Sequence, residues 1–507
     1  MSDIAKSKPH KLIEKTLNIF DEGTKTAAEQ FAFNDVYGGR ATIELPRNVS
    51  RTVRTVLDEA LLRNADLPYG KAAEEAAESA IKSKPKRFAR RLPHVGWQTD
   101  EDGRPNAFVL GPIVLRPNNT KEKLLAPSWL NDCLLLIPPK TGSLEAWQEE
   151  VAKPALKSSR LMLAISCSFA AMVIRLSAFP NFGVNLYGPS KCGKSTALLA
   201  GTSVYGIGRE EDLANWAATT AAAYETARVY NDLMMPINET GLIKGSKKDA
   251  YTAISNWIFS YSEGRDRSKH SGNQYASKQS SARWHGIFFA TSEWSFEEFA
   301  RTAGAERVGG EYARCTDVPA LPVGYDTIFD NFDDTLERAT RQWARKELER
   351  FRRECSKNRG VAAYAFICSL PKDWDKHPAF IERKVTEFVD AVNGSRLTDA
   401  KHHAAKNFGI IYAGACLAIK KGILPWKSKY LLESLRACFM DAMGCISTSD
   451  DILTAGQEKL REALQQSKRW PHASNWPKDG KGFVKPEGGR MSVADDMSGL
   501  GSARSVR

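Results

Sequence analysis

The sequence lacks several features that define common protein classes. Its nine cysteines include no C-x-x-C pair, and its histidines show no zinc-ligand spacing, so neither a disulfide framework nor a zinc site is indicated. Residues 1–8 lack the apolar core of a signal peptide. The longest apolar run, 161–179, contains Arg175 and several serines, which favours a buried helix over a membrane span. We therefore expect a cytoplasmic protein.

Positively charged residues are in only modest excess over negatively charged ones. The 507 residues carry 72 Lys and Arg against 60 Asp and Glu, a formal net charge of +12. This excess fits a polyanionic partner, and it equally fits a soluble protein with a slightly basic surface. The hydrophobic share of 42% and the charged share of 26% are those of a globular protein. The length indicates about two to four domains.

The most specific signal is a loop with the pattern of a phosphate-binding site. Residues 188–195 read Gly-Pro-Ser-Lys-Cys-Gly-Lys-Ser and fit G-x-x-x-x-G-K-[ST] at every fixed position. An apolar, strand-like stretch over 182–187 precedes the loop, and a helix-like stretch follows from Ser195. Backbone N–H groups of such a loop, together with the helix N-terminus, make an anion site.

The loop predicts roles for individual residues toward ATP and Mg²⁺. Lys194 is expected to neutralise the β- and γ-phosphates, and the Ser195 hydroxyl to ligate Mg²⁺. The thiol of Cys192 is expected to have a lowered pKa and to react readily, or else to be a small loop residue with no role. The predicted nucleotide-binding residues are Gly188, Pro189, Ser190, Lys191, Cys192, Gly193, Lys194, Ser195 and Thr196.

A hydrolase of this class also needs an acidic group at the end of a neighbouring strand. The stretch 233–239, Leu-Met-Met-Pro-Ile-Asn-Glu, is the best candidate. Glu239 is expected to polarise the attacking water, and Asn238 and Glu239 are predicted to join Ser195 around the metal. Asn238 stands where Asp is usual and brings no charge to the cation, and Pro236 lies in what should be a central strand. The alternative is an ordinary buried strand that ends in a surface Glu.

Two further segments follow in the order that such a site requires. The apolar stretch 286–293 contains Thr291 and Ser292 near its end, and one of them is placed to sense the γ-phosphate or orient the water. Over 261–284, basic residues alternate with aromatic ones, and these residue types can pair with phosphates and stack on bases. This segment is either a nucleic-acid contact or a long solvated loop. The basic run 82–91 is likewise either a solvated linker or a nucleic-acid contact.

Composition along the chain divides it into five regions. In the third region, strand-like and helical stretches alternate, which predicts an α/β fold with a parallel sheet. The regions are a helical N-terminal region (1–85), a small β-rich region (86–140), the nucleotide-binding core (141–325), a helical lid or C-terminal helical domain (326–470) and a disordered tail (471–507).

Taken together, these motifs resemble those of the family catalogued as domain of unknown function 927, which occurs in replication genes of bacterial mobile elements. The resemblance is strongest over about residues 142–440. The matching stretches are 142–147, 182–190, 203–206, Trp216 with Thr219, 231–232, 264–267, 291–293, Arg314 with 317–320, and 422–426.

The resemblance implies an AAA+ type P-loop core that looks akin to minichromosome-maintenance type helicases, with a helical lid. It thereby implies a ring-forming ATPase that moves nucleic acid, single-stranded DNA above all. Arg314 would be an arginine finger that reaches the neighbouring subunit's γ-phosphate, the alternative being a surface Arg before a strand. The implied catalytic residues are Lys194, Glu239, Thr291 and Arg314. The implied nucleic-acid contacts are Arg265, Arg267 and Lys269, and the first two would lie on a loop that projects into a central pore.

The sequence departs from the family pattern in two places. Asn238 replaces the usual Asp, which bears on the hydrolysis rate more than on nucleotide binding. Lys401, His402 and His403 occupy a position of the lid helix where an arginine pair is expected. Two other functions therefore stay open, a nucleotide-gated DNA-binding scaffold with little hydrolysis and a regulatory or defence ATPase that acts on protein partners.

Overall fold

A computed structural model describes residues 12–85, 87–116, 122–133, 137–177, 179–215, 220–239, 246–265, 283–330, 340–394, 397 and 399–444. The strands are β1 (Ile13–Asp21), β2 (Thr26–Asn34), β3 (Arg40–Pro46), β4 (Arg87–Arg91), β5 (Gly96–Thr99), β6 (Pro105–Leu110), β7 (Ile113–Leu115), β8 (Lys123–Leu125), β9 (Phe182–Tyr187), β10 (Leu233–Ile237), β11 (Gly286–Ser292) and β12 (Cys315–Pro319). The helices are α1 (Val53–Leu62), α2 (Lys71–Lys82), α3 (Leu144–Trp147), α4 (Lys153–Ala155), α5 (Ser159–Ala171), α6 (Lys194–Ser203), α7 (Thr220–Val229), α8 (Lys247–Glu263), α9 (Phe296–Thr302), α10 (Gly309–Arg314), α11 (Arg341–Lys357), α12 (Val361–Ser369), α13 (His377–Ala391), α14 (Asp399–Lys420) and α15 (Ser428–Met443). In this part of the chain, no helix combines the length and the apolar character needed to cross a membrane. The tail predicted over 471–507 lies outside the described residues.

The N-terminal residues form a five-stranded sheet in the order β3-β2-β1-β4-β8. Strands β1 to β3 are antiparallel neighbours, whereas β4 runs parallel to β1. The helical region predicted over 1–85 is therefore wrong for 13–46, although α1 and α2 follow. Lys15 explains the error, because it is buried within β1 and pairs with Glu29 of β2 at 3.2 Å. An inward-facing charge interrupts the alternating apolar pattern by which a strand is recognised.

A second, antiparallel sheet of β5, β6 and β7 contacts the core through Trp97. The Trp97 backbone N–H donates to Oδ2 of Asp232 at 2.9 Å, and its indole N–H donates to the carbonyl of Met172 at 2.8 Å. The region predicted as β-rich, 86–140, does contain strands. Two of them, β4 and β8, pair with the N-terminal sheet, so the boundary predicted at 86 does not separate two sheets.

The core sheet consists of four parallel strands in the order β10-β11-β9-β12. Residues of β9, β10 and β11 are buried along nearly their whole length, as in parallel sheets covered on both faces. Because the strands run in one direction, their carboxyl ends meet at one edge. Strand β10 lies at the end of the described sheet, a position that tolerates Pro236. The predicted α/β class with a parallel sheet is confirmed.

Helices cover this sheet, and two of them approach each other closely. Every residue of α5 is buried, which confirms the buried helix predicted from the apolar run. Helix α14 crosses α5 so closely that a Cβ on Gly414 would lie 2.4 Å from the Cα of Ala170. Only glycine permits this approach. Helix α11 begins at the capping residue Thr340, whose hydroxyl accepts the N–H of Trp343 at 3.2 Å, and it packs against α6.

Candidate nucleotide-binding site

The loop at 188–193 connects the carboxyl end of β9 to the N-terminus of α6. Its backbone turns at Gly193, where φ is 112°. A Cβ at this position would lie 3.2 Å from Ile328 and 3.3 Å from Leu348, so the backbone angle favours glycine and the space around it is tight. The loop therefore has the strand–loop–helix geometry that the motif requires, with the first N–H groups of α6 at its end.

Lys194 is folded back onto the loop. Its Nζ donates to the carbonyl of Gly188 at 2.7 Å and to the carbonyl of Pro189 at 2.9 Å, and the residue is only 8% exposed. The two carbonyls satisfy the buried ammonium group, which would be costly to leave unpaired. An anionic ligand in the loop has to replace these partners, and charge-assisted hydrogen bonds to phosphate are strong enough to do so.

The structure corrects the expectation for Cys192. Burial raises the pKa of this thiol, and this effect outweighs the nearby charge of Lys194, which lowers it. The sequence placed the thiol at a helix N-terminus but could not show its half-buried position. Cys192 is thus a poorly ionised loop residue rather than an activated nucleophile.

Asn238, Glu239 and Thr291 lie together at the carboxyl ends of β10 and β11. The Thr291 hydroxyl donates to Oδ1 of Asn238 at 2.8 Å and accepts the backbone N–H of Glu239 at 3.2 Å. The loop adjoins them, because the N–H of Gly188 donates to the carbonyl of Ser292 at 3.1 Å. Glu239 has a φ of 57°, a left-handed conformation whose cost is typical of functional sites.

The oxygen atoms near the loop are chemically suited to Mg²⁺. Ser195, Asn238 and Glu239 supply a hydroxyl, an amide oxygen and a carboxylate, and Mg²⁺ selects oxygen donors while keeping several waters and substrate phosphates. Within the described ranges, no group of three or more His, Cys, Asp or Glu side chains could hold a metal ion.

A buried polar network runs across the sheet beside this site. The Ser292 hydroxyl donates to Oδ1 of Asn185 at 2.8 Å, and Nδ2 of Asn185 donates to Asp317 at 2.7 Å. Nη1 of Arg307 donates to the other oxygen of Asp317 at 2.7 Å. The sequence analysis missed this network, although an Asn within the apolar stretch 182–187 is the kind of residue that signals a buried polar contact.

Arg314 lies at the amino end of β12, at the opposite edge of the sheet from the loop. The next residue, Cys315, is in register with Gly183 of β9, and the five residues from there to Gly188 span roughly 16 Å along the strand. Nη1 of Arg314 donates to the carbonyl of Gly310 at 2.9 Å, and the guanidinium lies 5.0 Å from the ring of Phe259. The structure does not bring Arg314 to the loop of its own chain.

Arg265 lies at the same edge as Arg314, exposed at the end of α8, where it forms a β-bridge with Arg283. Arg267 and Lys269 lie outside the described residues. Two of the aromatic residues expected to stack on bases are instead buried, Tyr261 and Trp284, each 1% exposed. They belong to an aromatic cluster in the core, which excludes base stacking by these two rings.

Lys401, His402 and His403 lie on α14, which packs against α10. Nδ2 of Asn407 donates to the carbonyl of Ala313 at 3.0 Å, so α14 adjoins the helix that carries Arg314. Nδ1 of His402 lies 2.9 Å from the carbonyl oxygen of Gly394. These residues are placed on the Arg314 side of the sheet.

Arg352 of α11 contacts Thr196, one of the predicted nucleotide-binding residues, and the sequence analysis did not predict this contact. Its Nε donates to the Thr196 hydroxyl at 2.7 Å, and its Nη2 lies 3.3 Å from Oε1 of Glu210. Thr196 immediately follows Ser195 in the first turn of α6. No motif indicated this contact, because it joins residues far apart in the chain and depends on how α11 packs.

Comparison with known proteins identifies a family and a fold. The family described as Domain of unknown function (DUF927) matches residues 14–280, more than half of the chain. No curated protein matches the chain. Four chains of solved structures match, among them one described as "SCCmec type IV Cch - active helicase", with 14% sequence identity, a TM-score of 0.60, and coverage of 85% of this chain and 73% of that chain. At this identity, the likeness shows a shared fold.

Proposed function

The chain belongs to the DUF927 family, and we propose that it is an AAA+ type P-loop ATPase that uses ATP hydrolysis to move along DNA. The proposed substrate is single-stranded DNA, and the proposed setting is the replication of a mobile element or phage. The fold is shared with a protein whose description names a helicase, and that description supports a nucleic-acid motor over other ATPases.

One observation carries the proposal. Gly188 of the loop is hydrogen-bonded to the end of β11, and Thr291 of β11 is hydrogen-bonded to Asn238 and Glu239 of β10. Three chain segments that are distant in sequence therefore converge where the loop leaves β9. An anion site, a carboxylate and a hydroxyl at one place are the groups that phosphoryl transfer to water requires.

Each residue then has a distinct task. Lys194 exchanges the loop carbonyls for the β- and γ-phosphates and stabilises the charge that develops on the transferred group. Glu239 accepts a proton from the attacking water, and Thr291 orients that water once its hydroxyl leaves Asn238. Mg²⁺, held by Ser195 and the Asn238–Glu239 pair, would neutralise phosphate charge.

The proposed motor requires more than one chain. Arg314 is too far from its own loop to act there, so we assign it to the γ-phosphate of a neighbouring subunit in a ring. Arg265 is exposed on the same side of the sheet as Arg314, and we assign it, with Arg267 and Lys269, to a pore loop whose cations contact the phosphates of DNA.

ATP binding and turnover of three proteins test this proposal. The wild type is expected to bind MgATP by calorimetry and to hydrolyse it faster with single-stranded DNA. Lys194→Ala should abolish binding, whereas Glu239→Gln should bind ATP and lose turnover by about 100-fold or more. No heat with MgATP for folded wild type, or unchanged binding by Lys194→Ala, would overturn the proposal.

Asn238 favours a second function, a nucleotide-gated DNA-binding scaffold. An amide adds no charge to the cation, so hydrolysis is expected to be slower than with Asp. The scaffold predicts equal, background-level turnover for wild type and Glu239→Gln, together with DNA binding that depends on ATP. A DNA-stimulated rate that Glu239→Gln abolishes excludes it.

A further inference from the structure

The basic run 82–91 is part of a folded sheet, which removes the linker interpretation for its second half. It contains six Lys and Arg residues and no acid. Residues 87–91 form β4, between β1 and β8. Arg90 pairs with Glu22 at 2.9 Å and with Glu122 at 3.1 Å, so its charge is balanced within the protein.

Two other cations of this run have no carboxylate partner among the described residues. Lys84 and Arg87 are exposed, and neither forms an ion pair with another residue that the structure describes. Arg87 also lines a surface cleft of about 480 Å³ with Phe88, Arg116, Glu122 and Lys123. The lining contains three cations and one carboxylate, so the cleft is complementary to an anion.

Two aromatic rings are exposed near this cleft, and one of them, Phe88, lines it. Phe88 is 73% exposed and Phe20 is 47% exposed. In the parallel pairing of β1 with β4, Phe88 lies opposite Asn18 and Phe20 lies opposite Arg90, which puts both rings on one face of the sheet. Neighbouring strands and a two-residue offset place them roughly 8 Å apart.

We propose that this surface, the Phe20–Phe88 surface, binds single-stranded nucleic acid. Exposed rings give sequence-independent stacking platforms for bases, and the cations that line the cleft together with Phe88 contact the backbone phosphates. Duplex bases are stacked on each other and do not present their faces, so the rings select a single strand. The inference rests on the proposed function in that DNA is the motor's substrate, and it adds a contact on the N-terminal sheet, away from the nucleotide loop.

Binding of a fluorescent poly-dT oligonucleotide to the full chain, without nucleotide, tests the inference. Phe20→Ala with Phe88→Ala should weaken binding by about tenfold or more, and Arg87→Glu should weaken it and flatten its salt dependence. Tyr37→Ala is the matched aromatic control, because Tyr37 is 87% exposed at the end of the sheet where β1 begins. Arg54→Glu on α1, 90% exposed, is the charge control.

The outcomes separate this inference from the motor proposal. Unchanged oligonucleotide binding by the double Phe variant, or no binding by the wild type, overturns the inference whatever the ATPase rate. A change in sedimentation mass without a change in oligonucleotide affinity also overturns it, because the rings then contact a second copy of the chain. Lys194→Ala, which tests the motor, is expected to bind the oligonucleotide as the wild type does.

Discussion

Arg352 donates a hydrogen bond from Nε to the hydroxyl of Thr196, 2.7 Å away. The contact joins α11, in the C-terminal helical part, to the first turn of the helix that follows the loop. The opposing carboxylate of Glu210 is 43% exposed and the Arg352 side chain is 45% exposed. The Arg352 guanidinium is thus held by a hydroxyl and a carboxylate that a phosphate group can replace as its partners.

Replacing Arg352 with Ala should weaken ATP and ADP binding by about tenfold, because a charge-assisted hydrogen bond is lost at the phosphate-binding turn. Isothermal calorimetry measures the affinities. Arg345→Ala on the same helix is the control, since that side chain is 84% exposed and pairs with Glu349 of its own helix at 3.3 Å. Equal affinities for wild type and Arg352→Ala would show that the arginine helps to position α11 and does not contribute to nucleotide binding.

Asn238→Asp should lower the Mg²⁺ concentration that gives half-maximal ATP turnover, by about tenfold. The carboxylate keeps an acceptor for the hydrogen bond that Thr291 donates to residue 238, and it adds a charge for the cation. Turnover measured over a Mg²⁺ series gives the answer. If wild type and Asn238→Asp need the same Mg²⁺ concentration for half-maximal turnover, residue 238 does not contact Mg²⁺ or its bound waters.

Asp317→Asn should destabilise the protein by about 3 kcal/mol or more, because Arg307 then keeps a fully buried charge without its shortest ion-pair partner. Arg307→Met combined with Asp317→Asn should recover most of the loss, since the pair is then removed together. Urea unfolding compares the three proteins. A double variant less stable than the Asp317→Asn single variant would contradict this account of the network.

Acid should destabilise the fold through His94 and His285. Burial lowers the pKa of both side chains, with the charge of Arg175 acting in the same direction. The unfolded chain then binds more protons than the folded one below the ordinary value of 6.5, so stability is fully present above that pH and is lost as the pH falls below it.

Thermal unfolding at about pH 7.5 and about pH 5.5 measures this effect. We expect a lower Tm at the acidic pH, and a smaller difference between the two values in a His94→Gln, His285→Gln variant. An equal pH dependence in wild type and variant would assign the acid sensitivity to other groups.

Cys192 should react slowly with iodoacetamide at about pH 7.5, at no more than about a tenth of the rate of glutathione in the same solution. The reason is the raised pKa that burial gives this thiol. Peptide mass spectrometry follows the labelling. Cys192→Ser should bind ATP with wild-type affinity. Fast labelling of Cys192 would instead support the reactive thiol that the sequence alone suggested.

The sequence predicted the parts of the site that a local pattern defines. The loop at 188–195 carries its own signature, and the ends of β10 and β11 follow from apolar stretches that stop at polar residues. Parallel strands bring their carboxyl ends to one edge, and the hydrogen bond from the N–H of Glu239 to the Thr291 hydroxyl forms there.

Other features depend on burial and packing, which a single sequence does not encode locally. Strand β1 was not recognised because Lys15 occupies an inward-facing position, where its charge is paired with Glu29 inside the sheet. Trp284 looked like a base-stacking residue because its basic neighbours dominate the pattern, yet the ring is buried. The contact between Arg352 and Thr196 exists only once α11 lies against α6, so no spacing rule could have indicated it.

The position of Arg314 has a consequence for how the protein must be handled. An isolated chain carries the loop at one edge of the sheet and the arginine at the other, so under the proposed function it holds two halves of an active site and no complete one. Activity that uses this arginine is therefore a property of encounters between chains. Specific activity should fall on dilution and recover on concentration, and a mixture of Lys194→Ala with Arg314→Ala chains should regain turnover that neither has alone.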